Sequence, residues 1–370
     1  MRPRSRVVTR RRRKGKVTDL SASTIVVYIG RMTGREVRRI GLIGVGKHGS
    51  RYARHIRQDL PGVELAAIAR RDAAKAASSA RELGVTGFTD YREMIERGAV
   101  DAVVAAVPPT LHLDILTCAA RAGVPLLIEK PAAPSLAVGR AMIAELRAHP
   151  IPLMVAHTLR YNAVVRTLQL ACEQVGPLRS LTFTQRFEPP PLGWLDEPAV
   201  SGGGTVLHTG VHAFDLLRVL TGLAPESVTC QLASVHTRRT EDNFVATVRL
   251  TGGAALATVT CARTAGARNG HIELAGERGT LVGEHVLHRA VRIRGTTMEP
   301  LPLGDSVPTV REVLRDFVAA LRGGVPPPIA LADGLRAVAV ADACYAAARS
   351  GQLAPVQEID GSPTATRGAA

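Results

Sequence analysis

Three short stretches of this chain carry residue types that do chemistry. In GGGTVLHTGVHAFD, Gly202 to Asp215, His208 and His212 stand four residues apart, the interval that puts two imidazoles on one helical face. That is also the zinc-protease spacing, but position 209 is Thr where such a motif needs glutamate, and no cysteine or distal histidine pairs with the two. No metal is expected. Two readings stay open: a buried histidine at the start of a helix, or a proton carrier, for which an imidazole of pKa about 6.5 is suited. Asp215, one helical turn beyond His212, is placed to orient its ring or to cap local backbone. The second stretch is Glu129-Lys130-Pro131. A lysine at a strand end that faces a cofactor donates to a substrate oxygen or stabilises a developing alkoxide, and the proline fixes the turn that aims it. Alone, the triplet reads first as an exposed lysine at a strand end. The third is Gly44-Val45-Gly46-Lys47-His48-Gly49, a G-x-G-x-x-G loop.

These stretches need a scaffold, and the hydrophobic pattern describes one. RIGLIG (39–44) reads as a buried strand that ends in the glycine loop, and SRYARHIRQDL follows as a helix. In that setting Gly44 makes the tight turn, Gly46 lets backbone approach a pyrophosphate, and Gly49 lets helix and strand pack; Lys47 and His48 complete the expected cofactor loop. Strand VELAAIA (63–69) ends at Arg70-Arg71-Asp72, where an acid would favour NAD; guanidinium groups suit a 2′-phosphate, so NADP is favoured modestly over NAD. Alternation continues through helix 73–84, a short helix in TGFTDYREMIER, strand 100–109, helix 111–123, strand 124–133 and a helix to Ala148. Such alternation builds a doubly wound parallel sheet, whose ligand crevice gathers the glycine loop, Pro108, His112 and Glu129-Lys130-Pro131. Beyond 151 the texture changes. A strand (151–156) leads through His157, Arg160 and Tyr161 to a helix near Asn162, and then come period-two runs such as SLTFTQRFE, NFVATVRLTGG and AALATVTCART. These read as antiparallel strands of a second, α+β domain. Arg160 could hold a substrate carboxylate or hydroxyl pair, or a structural salt bridge. Trp194, the only tryptophan, could stack on a sugar ring or plug a subunit contact.

GLIGVGKHG, AAVPPTLHLDILTCAARAGVPLLIEKPAA, HTLRYN and GGGTVLHTGVHAFDLLRVLTG occur in the order found in the glucose–fructose oxidoreductase, inositol dehydrogenase and rhizopine-catabolism family (Gfo/Idh/MocA), which the chain resembles from about Arg38 to Gly351. The resemblance implies that Pro108 and His112 line the nicotinamide side and Glu129 the cofactor cleft. It implies that Lys130 contacts the reacting hydroxyl and that His212 exchanges its proton. It gives Arg160 and Tyr161 a place in the cleft and His208 a place at the substrate. Many relatives carry aspartate where this chain has His208, so substrate assignment by analogy is weakened at that position. An open mixed sheet used for homodimers or homotetramers, and a C-terminal helix packed back on the first domain, are implied as well.

The expected organisation is a basic tail (1–37), a Rossmann domain (38–155), an α+β domain with an open, mainly antiparallel sheet (156–330), a returning helix (331–352) and a tail (353–370). A net charge of +15 suggests nucleic acid until it is located: residues 1–31 hold ten Arg or Lys and one acid, leaving +6 for the rest. Nucleic acid is therefore a weak expectation, and the twin-arginine look of Arg10–Lys14 lacks a long apolar run and a cleavage site. No stretch reaches the ~18 apolar residues of a membrane span. Five scattered cysteines, never C-x-x-C, suit a reducing, cytoplasmic setting. The expected protein is an NAD(P)-dependent dehydrogenase or reductase of a small sugar, cyclic polyol or derivative. A reductase of another carbonyl or imine, and a non-catalytic dinucleotide-binding regulator, are the alternatives.

Overall fold

The apolar run at Arg39–Ile43 forms β1, buried at four of its five residues, and it is the centre of the first sheet. A computed structural model describes residues 34–189, 193–253 and 255–359; the basic segment 1–31 and the terminal GSPTATRGAA lie outside the described residues. From β1 the chain runs through α1 (Gly49–Asp59), β2 (Glu64–Ala69), α2 (Ala73–Leu83), β3 (Thr86–Phe88), α3 (Tyr91–Glu96), β4 (Ala102–Ala105), α4 (His112–Arg121), β5 (Leu126–Ile128), α5 (Leu136–Ala148) and β6 (Leu153–Val155). The six strands are parallel in the order β3-β2-β1-β4-β5-β6. Strands buried on both faces explain why this half reads as continuous Val, Ile, Leu and Ala rather than as alternation. The order reverses between β1 and β4, and a doubly wound sheet opens its ligand crevice beside that point. Local signals end the helices: Asp72 accepts from Lys75 N–H at 2.9 Å to start α2, and Gly84 closes it in the left-handed region.

The second half begins with α6 (Ala163–Ala171), capped by Asn162. There follow β7 (Leu178–Arg186), α7 (Pro198–Ser201), a π-helical turn (Val206–Gly210), α8 (Val211–Thr221), β8 (Pro225–Ala233), β9 (Asn243–Leu250), β10 (Leu256–Ala262), β11 (Asn269–Gly276), β12 (Gly279–Glu284), β13 (Arg289–Arg294), β14 (Thr297–Pro300), α9 (Thr309–Gly323), α10 (Leu331–Ser350) and β15 (Ala354–Pro355). Nine strands make one sheet, β14-β13-β12-β11-β7-β10-β9-β8-β15, antiparallel except for β7 with β10. Along β9 residues alternate buried and exposed, as a sheet packed on one face requires.

Three differences from the sequence reading have physical causes. Strands β3 and β14 have three and four residues, too few to display a period. Helix α9 was not among the expected elements, although Val310, Val313, Leu314, Phe317, Val318 and Leu321 are buried at helical spacing. The segment 354–359, expected as tail, pairs Ala354 with Val228 and buries Val356 and Ile359. Helix α10 is buried along most of its length and touches both halves: Leu136 N–H of the first donates to Asp342 at 2.8 Å, and Tyr345 donates to Glu241 of the second at 2.9 Å.

Candidate active site

The glycine loop after β1 shows which of its glycines the protein needs for itself. Gly44 has φ 85°, and a Cβ there would sit 2.5 Å from Ala106 O; a Cβ on Gly49 would sit 1.9 Å from Gly44 O. Gly46 has nothing within 4 Å of where its Cβ would be. Its smallness serves nothing inside the fold and fits the close approach of a pyrophosphate. No side chain caps α1 and its first turn holds no acid, so the positive end of the helix faces the loop without competition. These residues fit a dinucleotide.

Glu129, buried at the end of β5, ties the loop to the reaction side. Its Oε1 accepts from Tyr52 at 2.5 Å and lies 2.7 Å from His48 Nε2, while Oε2 accepts from Lys130 N–H at 3.1 Å. Burial alone would raise its pKa, but the neighbouring His48 and Lys130 charges and these hydrogen bonds bring it to about 2, so it stays a carboxylate. Lys130 Nζ donates to the carbonyl of His208 at 2.9 Å and joins the two halves. Burial draws its pKa down to about 8, Glu129 works against that fall, and Arg263 adds to it. One of the ammonium's three protons is taken, and two remain for a substrate oxygen.

His212 lies at the first turn of α8, with Nδ1 buried and lacking a hydrogen-bond partner. Burial, then Lys130, His157, His285 and Arg263, hold its pKa well below 6.5, so the ring is neutral and able to accept a proton. Asp215 does not orient it, contrary to the expectation from spacing. Its carboxylate takes Arg160 Nε at 2.8 Å and Arg160 Nη2, and lies 3.6 Å from His157 Nδ1. Arg160 is thereby in the structural ion pair that was its other reading, with Asp333 3.8 Å away, and Tyr161 donates to Asp316 at 2.7 Å. Both stitch helices together rather than presenting free groups.

His208 occupies the π turn. Its Nε2–H donates to Ser201 O at 2.9 Å, and burial followed by the Lys130 charge lowers its pKa to about 3. It is a neutral histidine, so it sets no second positive ring beside His212, and its Nδ1 is left as an acceptor. Trp194 packs edge-on against it, ring centroids 5.4 Å apart, in a turn held by Asp196, which accepts from Arg238, Arg239 and Thr240 N–H. His112 is fully buried and pairs through Nδ1 with Ala132 O at 3.1 Å, bracing the segment after Pro131; Pro108 leads into the 3-10 turn Pro109–Leu111 that precedes it. Arg70 donates to Ser79 at 2.7 Å and, with Arg54 and Arg57, lines a cavity of about 500 Å³ beside Val45. Arg71 and Lys47 are exposed. Asp72 caps α2 through one carboxylate oxygen, and its other oxygen stays half-exposed beside Lys75.

Three residues join the site that the sequence did not single out, Arg263, His285 and Gln185, beside His157 from the turn that opens the second domain. Gln185 Nε2 lies 3.4 Å from His285 Nε2, and Gly270 makes room for that ring. One signal for Arg263 was available. Ala257, Val259 and Cys261 are the buried positions of β10, and alternation carries that face to residue 263.

A phosphate-binding glycine loop, a lysine at the end of β5 and a neutral histidine from the second domain together define a dinucleotide-dependent oxidoreductase. Residues 38–157 match the oxidoreductase family with an NAD-binding Rossmann fold, Gfo/Idh/MocA, and residues 170–282 match the Gfo/Idh/MocA C-terminal domain. The chain belongs to that family. It is 30% identical over 308 residues to a 1,5-anhydro-D-fructose reductase of Ensifer adhaerens, covering 80% of this chain and 92% of the relative. It is 28% identical over 312 residues to the rhizopine catabolism protein MocA of Rhizobium meliloti, covering 82% and 93%. In fold it resembles an oxidoreductase domain protein from Kribbella flavida (TM-score 0.80, 24% identity, 88% of this chain and all of that one). It also resembles a levoglucosan dehydrogenase solved with NADH and L-sorbose (TM-score 0.78, 21% identity, 87% and 99%).

Proposed function

We propose that this enzyme moves hydride between a nicotinamide dinucleotide and a hydroxyl-bearing carbon of a sugar, cyclic polyol or derivative. The observation that carries the reading is the link from Gly-loop His48 through Glu129 to Lys130 and on to His208 in the second domain. That link supports reading Lys130 as the ammonium donor and His212 as the proton acceptor at the mouth of the dinucleotide loop. Bound nicotinamide supplies the hydride acceptor or donor. In oxidation, Lys130 donates to the substrate oxygen and stabilises charge growing there, while neutral His212 takes the hydroxyl proton. The carbon loses hydride, the oxygen loses its proton, and a carbonyl results; reduction reverses each movement.

NADP(H) is the cofactor we favour, on the three arginines of the Val45-side cavity. A homo-oligomer fits the second face of the nine-stranded sheet, where Val245 and Leu256 stand about half exposed. A reducing, cytoplasmic setting fits five cysteines that are all free. The test is nicotinamide-fluorescence titration with NADPH and NADH, followed by turnover on a sugar and polyol panel with wild type and His212→Ala. Tighter NADPH binding and loss of turnover in the variant are expected. Failure to bind either dinucleotide, or full activity of His212→Ala, overturns the reading.

A further inference from the structure

The second domain brings one strong cation to the site without an anion for it. Arg263 follows β10, its N–H held by Asp242 O at 2.8 Å, and its side chain continues the inward face of Val259 and Cys261. Its Nε is buried and has no hydrogen-bond partner, and no ion pair to it occurs among the described residues. Strand β10, which it follows, packs on the π turn that carries His208, and its charge adds to the lowering of the Lys130, His208 and His212 pKa values.

The acids of the surrounding elements face other partners. Glu129 holds His48 and Tyr52, Asp215 holds Arg160, and Glu241 takes Val206 N–H and Tyr345. Asp242 accepts from the N–H groups of Val235, His236 and Thr237. A largely buried guanidinium left unmatched is costly, and it is matched by a planar anion that brings two oxygens to its fork. A neutral polyol would bring hydroxyls only.

We propose that the substrate is an acidic sugar or polyol, whose carboxylate is received by Arg263 while its reacting hydroxyl or carbonyl meets Lys130 and His212. This rests on the site reading above and narrows its substrate class. The same anion would lie near His212 and offset part of the cationic field that lowers the ring's basicity.

Trp194, against His208, is the chain's only tryptophan, so its emission reports filling of the site independently of turnover. The enzyme with saturating NADPH is titrated with D-glucuronate and D-gluconate and with their neutral counterparts, D-glucose and sorbitol. At least one acid is expected to bind about 10- to 100-fold more tightly than its neutral partner, the range of a charge-assisted hydrogen-bond pair. Arg263→Gln should bring the two within about threefold by weakening the acid alone, and Arg263→Lys should recover part of the preference by restoring charge without the fork. Unchanged NADPH affinity certifies the fold of each variant. No acid preference in wild type, including no measurable binding of either acid, overturns the proposal, as does Arg263→Gln weakening acid and neutral ligands equally. Failure of the oxidoreductase reading looks different: acids bind with the stated preference, yet no hydride moves.

Discussion

The glycine-loop side and the second-domain side of this site differ in how far their buried polar groups are matched. On the cofactor side Glu129 is buried, but His48, Tyr52 and the Lys130 N–H occupy its oxygens. On the substrate side Arg263 is largely buried and holds no carboxylate, and the ring nitrogens of His157 and Nδ1 of His212 have no hydrogen-bond partner. A satisfied network fixes geometry before any ligand arrives, whereas unmatched donors and acceptors wait for one. We read the glycine loop as fixed before the dinucleotide arrives and the second domain as the part that discriminates between substrates.

The largest effect is expected where the sides meet. Lys130→Met should lower kcat by roughly 10³-fold, the scale of losing a donor to developing oxygen charge, while NADPH affinity changes by less than about threefold. Steady-state rates and fluorescence titration check both halves of that statement, and equal losses in the two would erase the boundary between the sides. Glu129→Gln should do the reverse. It keeps an acceptor for His48 but removes the charge that holds that ring and the glycine loop, so the dinucleotide should bind about tenfold more weakly, with a smaller change in kcat at saturation. A variant that loses kcat and keeps NADPH affinity would place Glu129 with the reaction instead.

How much of this could be read from sequence differs between the sides in the same way. The glycine loop, β1 and α1 are contiguous in the chain, so local spacing reveals them, and the resemblance supplied Lys130 and His212. The remainder is tertiary. Tyr161 finds Asp316 across 155 residues, and Arg160 finds Asp215 across 55, so neither could be known to be occupied. Arg263 is legible as an inward residue of a strand, but its isolation depends on where four acids spend their oxygens. The π turn at Val206–Gly210 has no sequence signature, since it is an extra residue accommodated inside an otherwise ordinary helical run.

The smallest effect concerns His208, and it separates a site histidine from a structural one. Burial holds its native pKa near about 3, against about 6.5 when unfolded. Above pH 6.5 both states are neutral there and the residue adds no pH dependence. As pH falls below 6.5 the unfolded chain takes up a proton that the native ring refuses, and stability is lost progressively until the native pKa is reached. Between pH 6.5 and 5.5 that loss amounts to about 1 kcal/mol for this residue, within a larger fall to which buried His112, His157 and His212 contribute with the same sign. In His208→Gln the amide can still donate to Ser201 O, and the proton uptake disappears. Denaturant melts at the two pH values should therefore show the variant losing about 1 kcal/mol less than wild type. Parallel losses would mean that His208 titrates normally, is open to water, and belongs with the unmatched groups of the substrate side.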